Sequence, residues 1–308
     1  MHNTPTNGTN LMHTSTNSYT LELHNLAPEP AEEWARLLNF VGLTEQDKRT
    51  MSATVETLMD RASELVIDTY NYLLSVPETA AILGWEMGAD EAHLAERRRF
   101  FTVWLARTLG MDTSDEFAYY LFRAGKFHAG HGARKIHTPS AYVTTSMGLV
   151  GATFARYMQE ANLPGHIMAP ALAGWNKYLS TQLHLMQLGY DIARENDTGS
   201  MTIPIRLFGR LRPLVGKHEF EIKVHQNSHV ADVLRKFFNY YPQTRVEALE
   251  KVWHSHEKKD SDWVEVFPAY VPRNGWRVLL NGLDLHYNGG LTAPIHKKDK
   301  IDIFPPGR

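Results

Sequence analysis

The hydrophobic period of the chain changes from helix-like to strand-like near residue 200, and this change constrains the fold more than any other feature. Between residues 32 and 195, apolar side chains recur at three- and four-residue spacing. After the polar stretch NDTGSM they alternate instead, as in MTIPIRLFGRLR and HEFEIKV. The 308 residues are enough for two ordinary domains. The sequence therefore predicts a multidomain protein, in which an all-α domain is followed by an α+β domain.

These patterns divide the chain into four segments. Residues 1–29, rich in Asn and Thr, are predicted to form a disordered tail, and residues 30–195 an all-α domain of six or more helices. Residues 196–201 form a polar linker to the α+β domain, residues 202–308. In this last segment, a strand hairpin around VGK precedes a helix over VADVLRKFFNYYP and further short strands. The resulting order, ββαββ, is that of a β-grasp (ubiquitin-like) domain, interrupted by an insertion before Trp276 that shows strand character only in WVEVF.

Charge and cysteine content exclude several classes of function. The 32 basic and 34 acidic side chains nearly cancel, so no global charge attracts nucleic acid or an anionic membrane. The absence of cysteine excludes disulfides, thiolate metal sites and cysteine nucleophiles, and it suits a reducing compartment. No window approaches the roughly 18 apolar residues of a membrane span, and the N-terminus lacks the pattern of a signal peptide. We therefore expect a cytoplasmic protein with no nucleic-acid or membrane partner.

Three histidines lie within ten residues in the stretch RAGKFHAGHGARKIHTPSAY, residues 123–142. His128 falls on the apolar face of the predicted helix EFAYYLFRAGKFHAGH. A histidine in such a place is most often a hydrogen-bonded core residue. Two metal sites compete with that interpretation. One is a zinc ion held by His128, His131 and His137, and the other is a haem iron held by one neutral imidazole, with a distal hydrogen-bond donor.

From about residue 34 to residue 190, the chain resembles the globin domain of the globin-coupled sensor and protoglobin family. RAGKFHAGHG is similar to that family's Arg-x-Gly-x-x-His segment, which implies that His128 is the proximal iron ligand. TYNYLLSVPE resembles the distal helix, which implies that Tyr70 donates a hydrogen bond to bound dioxygen. FVGLTEQD and NKYLSTQL resemble the first long helix and the closing helix. An insertion around AGHGARK keeps His131 as a rival iron ligand and places His137 on the rim of the site.

Other residues bear on the predicted distal side. Thr69 stands where the family usually has phenylalanine, which opens space beside the ligand. His93 is expected to be a solvated surface residue, with the sixth coordination position of the iron as its alternative place. Arg97, Arg98 and Arg99 are expected to form a charged face, from which one side chain could reach a haem propionate.

The C-terminal part resembles a second family, the β-grasp sulfur carriers that include the small subunit of molybdopterin synthase. The similar segments are IRLFGRLR, VADVLRKFF, VLLNGLDL and KIDIFPPGR. Sulfur carriers end in Gly-Gly, whereas this chain ends in Pro-Pro-Gly-Arg. The resemblance therefore implies the fold and a surface for a protein partner rather than sulfur transfer.

Together these resemblances imply a protein that contains haem b and binds a diatomic gas: dioxygen, carbon monoxide or nitric oxide. It would act as a gas or redox sensor coupled to a β-grasp module, and it could form a homodimer through its globin helices. Two alternatives stay open, a haem enzyme that reacts with nitric oxide or peroxide and a haem-regulated component of sulfur-carrier or molybdenum-cofactor metabolism. No G-x-G-x-x-G segment marks an electron source, which favours a sensor or carrier over an enzyme.

Overall fold

Helices account for the first two thirds of the chain. A computed structural model describes residues 21–257 and 263–306, so most of the predicted tail, residues 1–20, lies outside the described residues. The helices that precede the first strand are α1 (Pro30–Phe40), α2 (Glu45–Asp60), α3 (Ala62–Ser75), α4 (Pro77–Leu83), α5 (Glu91–Leu109), α6 (Asp115–His128), α7 (Ser140–Glu160) and α8 (Gly165–Asn196). The all-α prediction for this domain is confirmed.

Helices α2 and α3 share one uninterrupted stretch of helical periodicity, residues 45–75. Thr44 caps α2 in a capping box: its hydroxyl accepts from Asp47 N at 3.1 Å, and its own N–H donates to Asp47 Oδ2 at 2.8 Å. Arg61 leaves helical geometry, with φ −109° and ψ 9°, and separates the two helices. Its guanidinium bonds to Glu64 on α3 and to Glu160 at the end of α7. A long-range ion pair therefore accompanies a break that local periodicity does not show.

Helix α8 is the centre of the helical domain and packs on α2, α6 and α7. Its crossing with α6 is unusually close because glycines lie at the contact. A Cβ atom added to Gly125 of α6 would lie 1.8 Å from Met186 O, and one added to Gly189 of α8 would lie 1.9 Å from Phe122 O. The two helix backbones therefore touch, and α6 is fixed against α8 along its C-terminal half. No helix among the described residues is both long enough and apolar enough to cross a membrane.

The C-terminal domain is a mixed α+β unit. Its elements in chain order are β1 (Met201–Leu207), α9 (Leu211–Val215), β2 (Glu219–Val224), α10 (Val230–Tyr240), α11 (Arg245–Ala248), β3 (Leu249–Glu257), β4 (Val264–Pro272), β5 (Arg277–Leu280), β6 (Leu283–Asp284) and β7 (Ile301–Phe304). Five strands form a sheet in the order β2-β1-β7-β5-β6, with β1 and β7 parallel and the other neighbours antiparallel. Val233 and Phe237 of α10 are buried together with Ile203 and Ile301 of the sheet. One helix on a mixed sheet confirms the predicted β-grasp fold.

The connection between β1 and β2 is longer than the predicted turn around VGK. β1 ends at Leu207, and Gly209 then has a φ of 55°, which strand geometry does not allow. The chain next forms the short helix α9. The two strands still pair antiparallel, with Ile203 opposite Ile222.

The segment that resisted assignment forms a second, two-stranded sheet. β3 and β4 pair antiparallel from Leu249 opposite Pro272 to Glu257 opposite Val264. The apolar face of this hairpin includes Trp253, which is 62% exposed. The hairpin is thus an addition to the five-stranded sheet rather than an extension of it.

Residues 21–29, assigned from the sequence to a disordered tail, instead lie against the C-terminal domain; we call them the strap. Leu23 N donates to Tyr270 O at 2.8 Å, and Tyr270 N donates to Leu23 O at 2.9 Å. The Leu23 side chain is buried in the core of the C-terminal domain. Ala27 N donates to Asn239 Oδ1 at 2.9 Å. The chain therefore begins its described course on one domain and crosses to the other to start α1.

Candidate functional site

His128 is the last residue of α6, a helix that begins at the N-cap Ser114. Its ring is half-buried, and its Nδ1 atom is buried without a hydrogen-bond partner among the described residues. Burial, with a smaller effect from the positive charge of Arg97, lowers the pKa of His128 to about 4. The imidazole is therefore neutral at pH 7 and keeps a lone pair available for a metal.

Tyr70 lies on α3, and its ring packs edge-on against Phe101 of α5 at 6.2 Å between centroids. Its hydroxyl donates to the backbone oxygen of Arg97 at 2.9 Å. Burial raises the pKa of Tyr70 to about 12, so the hydroxyl stays protonated. A tyrosine hydroxyl has one hydrogen to donate, so Tyr70 can donate to another acceptor only when it releases the Arg97 carbonyl.

His93 is buried, at 3% exposure, and not on the surface as the sequence led us to expect. Trp85 Nε1 donates to its Nδ1 atom at 3.0 Å, and Arg97 Nε donates to its Nε2 atom at 3.0 Å. A neutral imidazole has only one nitrogen lone pair that can accept, so the two donors compete for it. Burial and the charge of Arg97 lower the pKa of His93, which keeps the ring neutral.

His131 and His137 are engaged elsewhere. His131 Nδ1 lies 2.8 Å from the hydroxyl of Tyr240 on α10, and its Nε2 lies 3.1 Å from Asp197 Oδ2. His137 Nε2 lies 2.8 Å from the hydroxyl of Tyr190. Both ring nitrogens of His131 therefore have partners at the boundary between the domains.

A zinc site built on these histidines finds no support. Across residues 21–257 and 263–306, no group of three or more His, Asp or Glu side chains is placed to hold a metal ion. The arrangement brings His128, Tyr70, His93 and Arg97 toward α5 and leaves His131 and His137 outside. Sequence reasoning named Arg97 only as one of three neighbouring arginines and did not separate it from Arg98 and Arg99. Its place on the inward face of α5, four residues from His93 and four from Phe101, was a signal that could have identified it.

A scan against protein-family models matched the Protoglobin family over residues 31–196, more than half of the chain. The chain belongs to the protoglobin family. The same scan matched the protoglobin's C-terminal region, residues 205–307, to the ThiS family, consistent with the expected β-grasp sulfur-carrier resemblance. No curated protein matched the chain significantly.

Solved structures similar to this protoglobin include two small archaeal modifier proteins. The solution structure of small archaeal modifier protein 1 from Methanosarcina acetivorans is 23% identical, with a TM-score of 0.26, and covers 34% of this chain and 93% of its own. The crystal structure of the Haloferax volcanii protein is 18% identical, with a TM-score of 0.25, and covers 34% of this chain and 96% of its own.

Membership of the protoglobin family implies that the helical domain binds haem. The residues at the site fit that group in three respects. His128 offers a neutral imidazole with an unpartnered nitrogen, and Tyr70 and Phe101 pack against each other as aromatic surface. Arg98, whose Nε is buried without a hydrogen-bond partner, has no carboxylate within 4 Å among the described residues, so it can meet the carboxylates of a haem.

The C-terminal residues bear on the sulfur-transfer alternative. Gly307 and Arg308 lie outside the described residues. The residues just before them are folded against the domain. A Cβ atom added to Gly209 would lie 2.3 Å from the Pro305 ring, and one added to Gly275 would lie 2.8 Å from Pro306 Cβ. The chain is therefore held to the domain up to Pro306.

Proposed function

We propose that this protoglobin is a haem-based gas sensor whose output passes through its β-grasp domain. His128 is the proximal ligand of a haem b iron, and Tyr70 is on the distal side, where a diatomic gas binds. The β-grasp domain presents the surface for a protein partner, and the globin helices provide the surface for a homodimer. As in the sequence-based expectation, the setting is cytoplasmic.

One observation carries this proposal: the end of α6 that bears His128 is fastened to α10 of the β-grasp domain. Lys126 Nζ donates to Tyr240 O at 3.0 Å and lies 4.2 Å from the centroid of the Tyr240 ring. His131 meets the hydroxyl of the same tyrosine at 2.8 Å. The proposed iron ligand thus lies between two residues that both contact Tyr240.

The chemistry of this contact suits a switch. A cation over an aromatic ring and hydrogen bonds of this kind each contribute about 1 to 2 kcal/mol. Coupling between two sites in allosteric proteins is typically about 1–3 kcal/mol. A small displacement of the α6 end that weakened the contacts of Lys126 or His131 would therefore change the free energy of the contact between α6 and α10 by about the coupling energy of an allosteric protein. The iron supplies gas binding when haem is present, and these side chains pass the displacement on.

Absorption spectra of the purified holoprotein test the haem assignment. We expect a Soret band that shifts with carbon monoxide in the wild type and is lost or strongly weakened in His128→Ala. His131→Ala is the matched control, and it should retain the band because both of its ring nitrogens are occupied by Tyr240 and Asp197. Loss of the band in His131→Ala with retention in His128→Ala would move the ligand to His131.

Hydrogen exchange tests the sensing assignment. Amide exchange in α10 should differ between the reduced holoprotein and its carbon monoxide complex, because Tyr240 is the last residue of that helix. The difference should shrink in Tyr240→Phe, which lacks the hydroxyl that meets His131. Strand β7, on the far side of β1 from β2, serves as the internal reference. Identical exchange in α10 with and without carbon monoxide would rule out output along this route.

A further inference from the structure

Arg97 is a half-buried cation without a counter-ion. Across the described parts of the chain, no carboxylate oxygen lies within 4 Å of its guanidinium, although its neighbour Glu96 pairs with Arg134 at 2.9 Å. Burial lowers the pKa of Arg97, which reflects the cost of holding its charge there. A charge that is partly removed from water without a counter-ion costs stability.

Arg97 donates to His93, an acceptor for which a second donor competes. Its Nε donates to His93 Nε2 at 3.0 Å, while Trp85 donates to the other nitrogen of the same ring at 3.0 Å. Since the neutral ring accepts only once, one of the two donors is always left without a full bond. The indole N–H is fixed in a rigid ring, whereas the guanidinium is on a flexible stem. Arg97 is therefore the donor that is free to turn to a better acceptor.

The position of Arg97 links the two sides of the site. Its own backbone oxygen receives the hydroxyl of Tyr70, so the Arg97 backbone lies beside the proposed distal residue. Its side chain shares the inward face of α5 with His93, Phe101 and Trp104. Its charge is close enough to His128 to help lower the pKa of that imidazole. Arg99, two residues further on, is exposed.

We propose that Arg97 is the side chain that faces the exogenous molecule bound at the iron, and that it strengthens the binding of small anions without changing the binding of neutral gases. This inference rests on the proposed function, because it needs haem at His128. The guanidinium gives up its contested bond to His93 and donates to the negatively charged ligand. Tyr70, whose single hydrogen is held by the Arg97 carbonyl, is then secondary as a donor.

The test compares azide binding to the ferric holoprotein with carbon monoxide binding to the ferrous holoprotein, both read from absorption spectra. In Arg97→Gln, azide affinity should fall about 10- to 100-fold, the size of one hydrogen bond to a charged group. Carbon monoxide affinity should stay within about threefold. Arg97→Lys, which keeps the charge, should recover most of the azide affinity. Arg99→Gln, an exposed cation on the same helix, should leave both affinities unchanged.

Several outcomes would overturn the proposal. Unchanged azide affinity in Arg97→Gln would do so. So would an equal fall in azide and carbon monoxide affinity, or faster haem loss with an unchanged azide-to-carbon-monoxide ratio, which would assign Arg97 to packing or to a haem propionate. These results leave the Soret band and its dependence on His128 intact. Loss of that dependence would instead refute the proposed function itself, so the two failures are distinguishable.

Discussion

Helix α6 packs against α8 along its C-terminal half and meets α10 at its C-terminal end, and the two contacts differ in what touches. At α8 the contact is backbone on backbone, through Gly125 and Gly189. At α10 it is made by the tips of polar side chains, Lys126 and His131, on Tyr240. Backbones in direct contact have no room to slide, whereas side-chain contacts can form and break. The first contact therefore fixes α6 at Gly125, and the second, at the end that bears the proposed iron ligand, is able to respond when that end moves.

The largest expected effect belongs to the glycine contact. Gly189→Ala should lower the free energy of unfolding by about 3 kcal/mol, because the added methyl would overlap the Phe122 carbonyl. Alanine normally favours helix by up to about 1 kcal/mol over glycine, so the loss opposes propensity. Gly151→Ala is the control, since its added Cβ meets nothing within 4 Å. Urea denaturation of both variants measures the difference, and equal stabilities would show that α6 and α8 do not touch through their backbones.

Lys126 gives the next largest effect. Lys126→Met keeps the helix propensity and the length of the stem but removes the cation over Tyr240 and the hydrogen bond to its carbonyl. We expect a loss of about 2 kcal/mol in the free energy of unfolding. Lys217→Met, at an exposed lysine, should change stability very little. A neutral result for Lys126→Met would mean that α6 and α10 are not coupled through this residue.

Tyr240→Phe removes only the hydroxyl that faces His131, so a smaller loss of about 1 kcal/mol is expected. A double-mutant cycle with His131→Ala isolates that bond. The coupling energy should be close to the single-variant loss. Tyr287→Phe, at a tyrosine that is 82% exposed, is the control. A coupling energy near zero would place the two groups apart in solution.

The smallest effect concerns pH. Lys236 of α10 donates to the backbone oxygens of Glu195, in the last turn of α8, and of Thr198, just beyond that helix, and burial lowers its pKa. As pH rises, the folded protein therefore loses the Lys236 proton before the unfolded chain does. In the unfolded chain a lysine has a pKa of about 10.4. In the window between these two pKa values the unfolded state binds more protons, so this group makes stability rise with pH. The stability difference between wild type and Lys236→Met should increase on going from pH 7 into that window. If this stability difference decreases with pH instead, the pKa of Lys236 is raised in the folded protein, which would contradict the prediction.

Sequence patterns predicted the parts of this molecule that depend on local periodicity. The helical domain, the change to strands after residue 200 and the antiparallel pair of β1 and β2 all follow from spacing. The break at Arg61 does not, because an ion pair with a glutamate 99 residues away accompanies it. The strap escaped notice because its three leucines among polar residues are too few to show a period. Its order comes from contacts with β4, more than 200 positions later in the chain.

Sequence reasoning predicted which residues form the candidate site better than it predicted the hydrogen-bond partners of their side chains. His128 and Tyr70 were chosen through family resemblance, and their assignment as haem residues stays a prediction. The resemblance favoured His128 but left His131 as a rival, since the groups that occupy the His131 ring, Tyr240 and Asp197, are distant in the chain. The competition between Trp85 and Arg97 for one imidazole is likewise a property of three side chains brought together by the fold.

Because of the strap, the described chain both begins and ends on the C-terminal domain. Residues 21–29 leave the ribosome early, whereas their docking site, formed by α10, β3 and β4, begins only at Val230 and is synthesised about 200 residues later. The hydrogen bond from Arg245 Nη1 to Ala27 O, at 2.7 Å, can form only after Arg245 has been synthesised. In chain order, the helical domain lies between the strap and the β-grasp domain that the strap packs against. It is therefore fully synthesised before the strap can dock. A protease that cut the chain between α8 and β1 would consequently not release the two halves, because the strap would still tie them together.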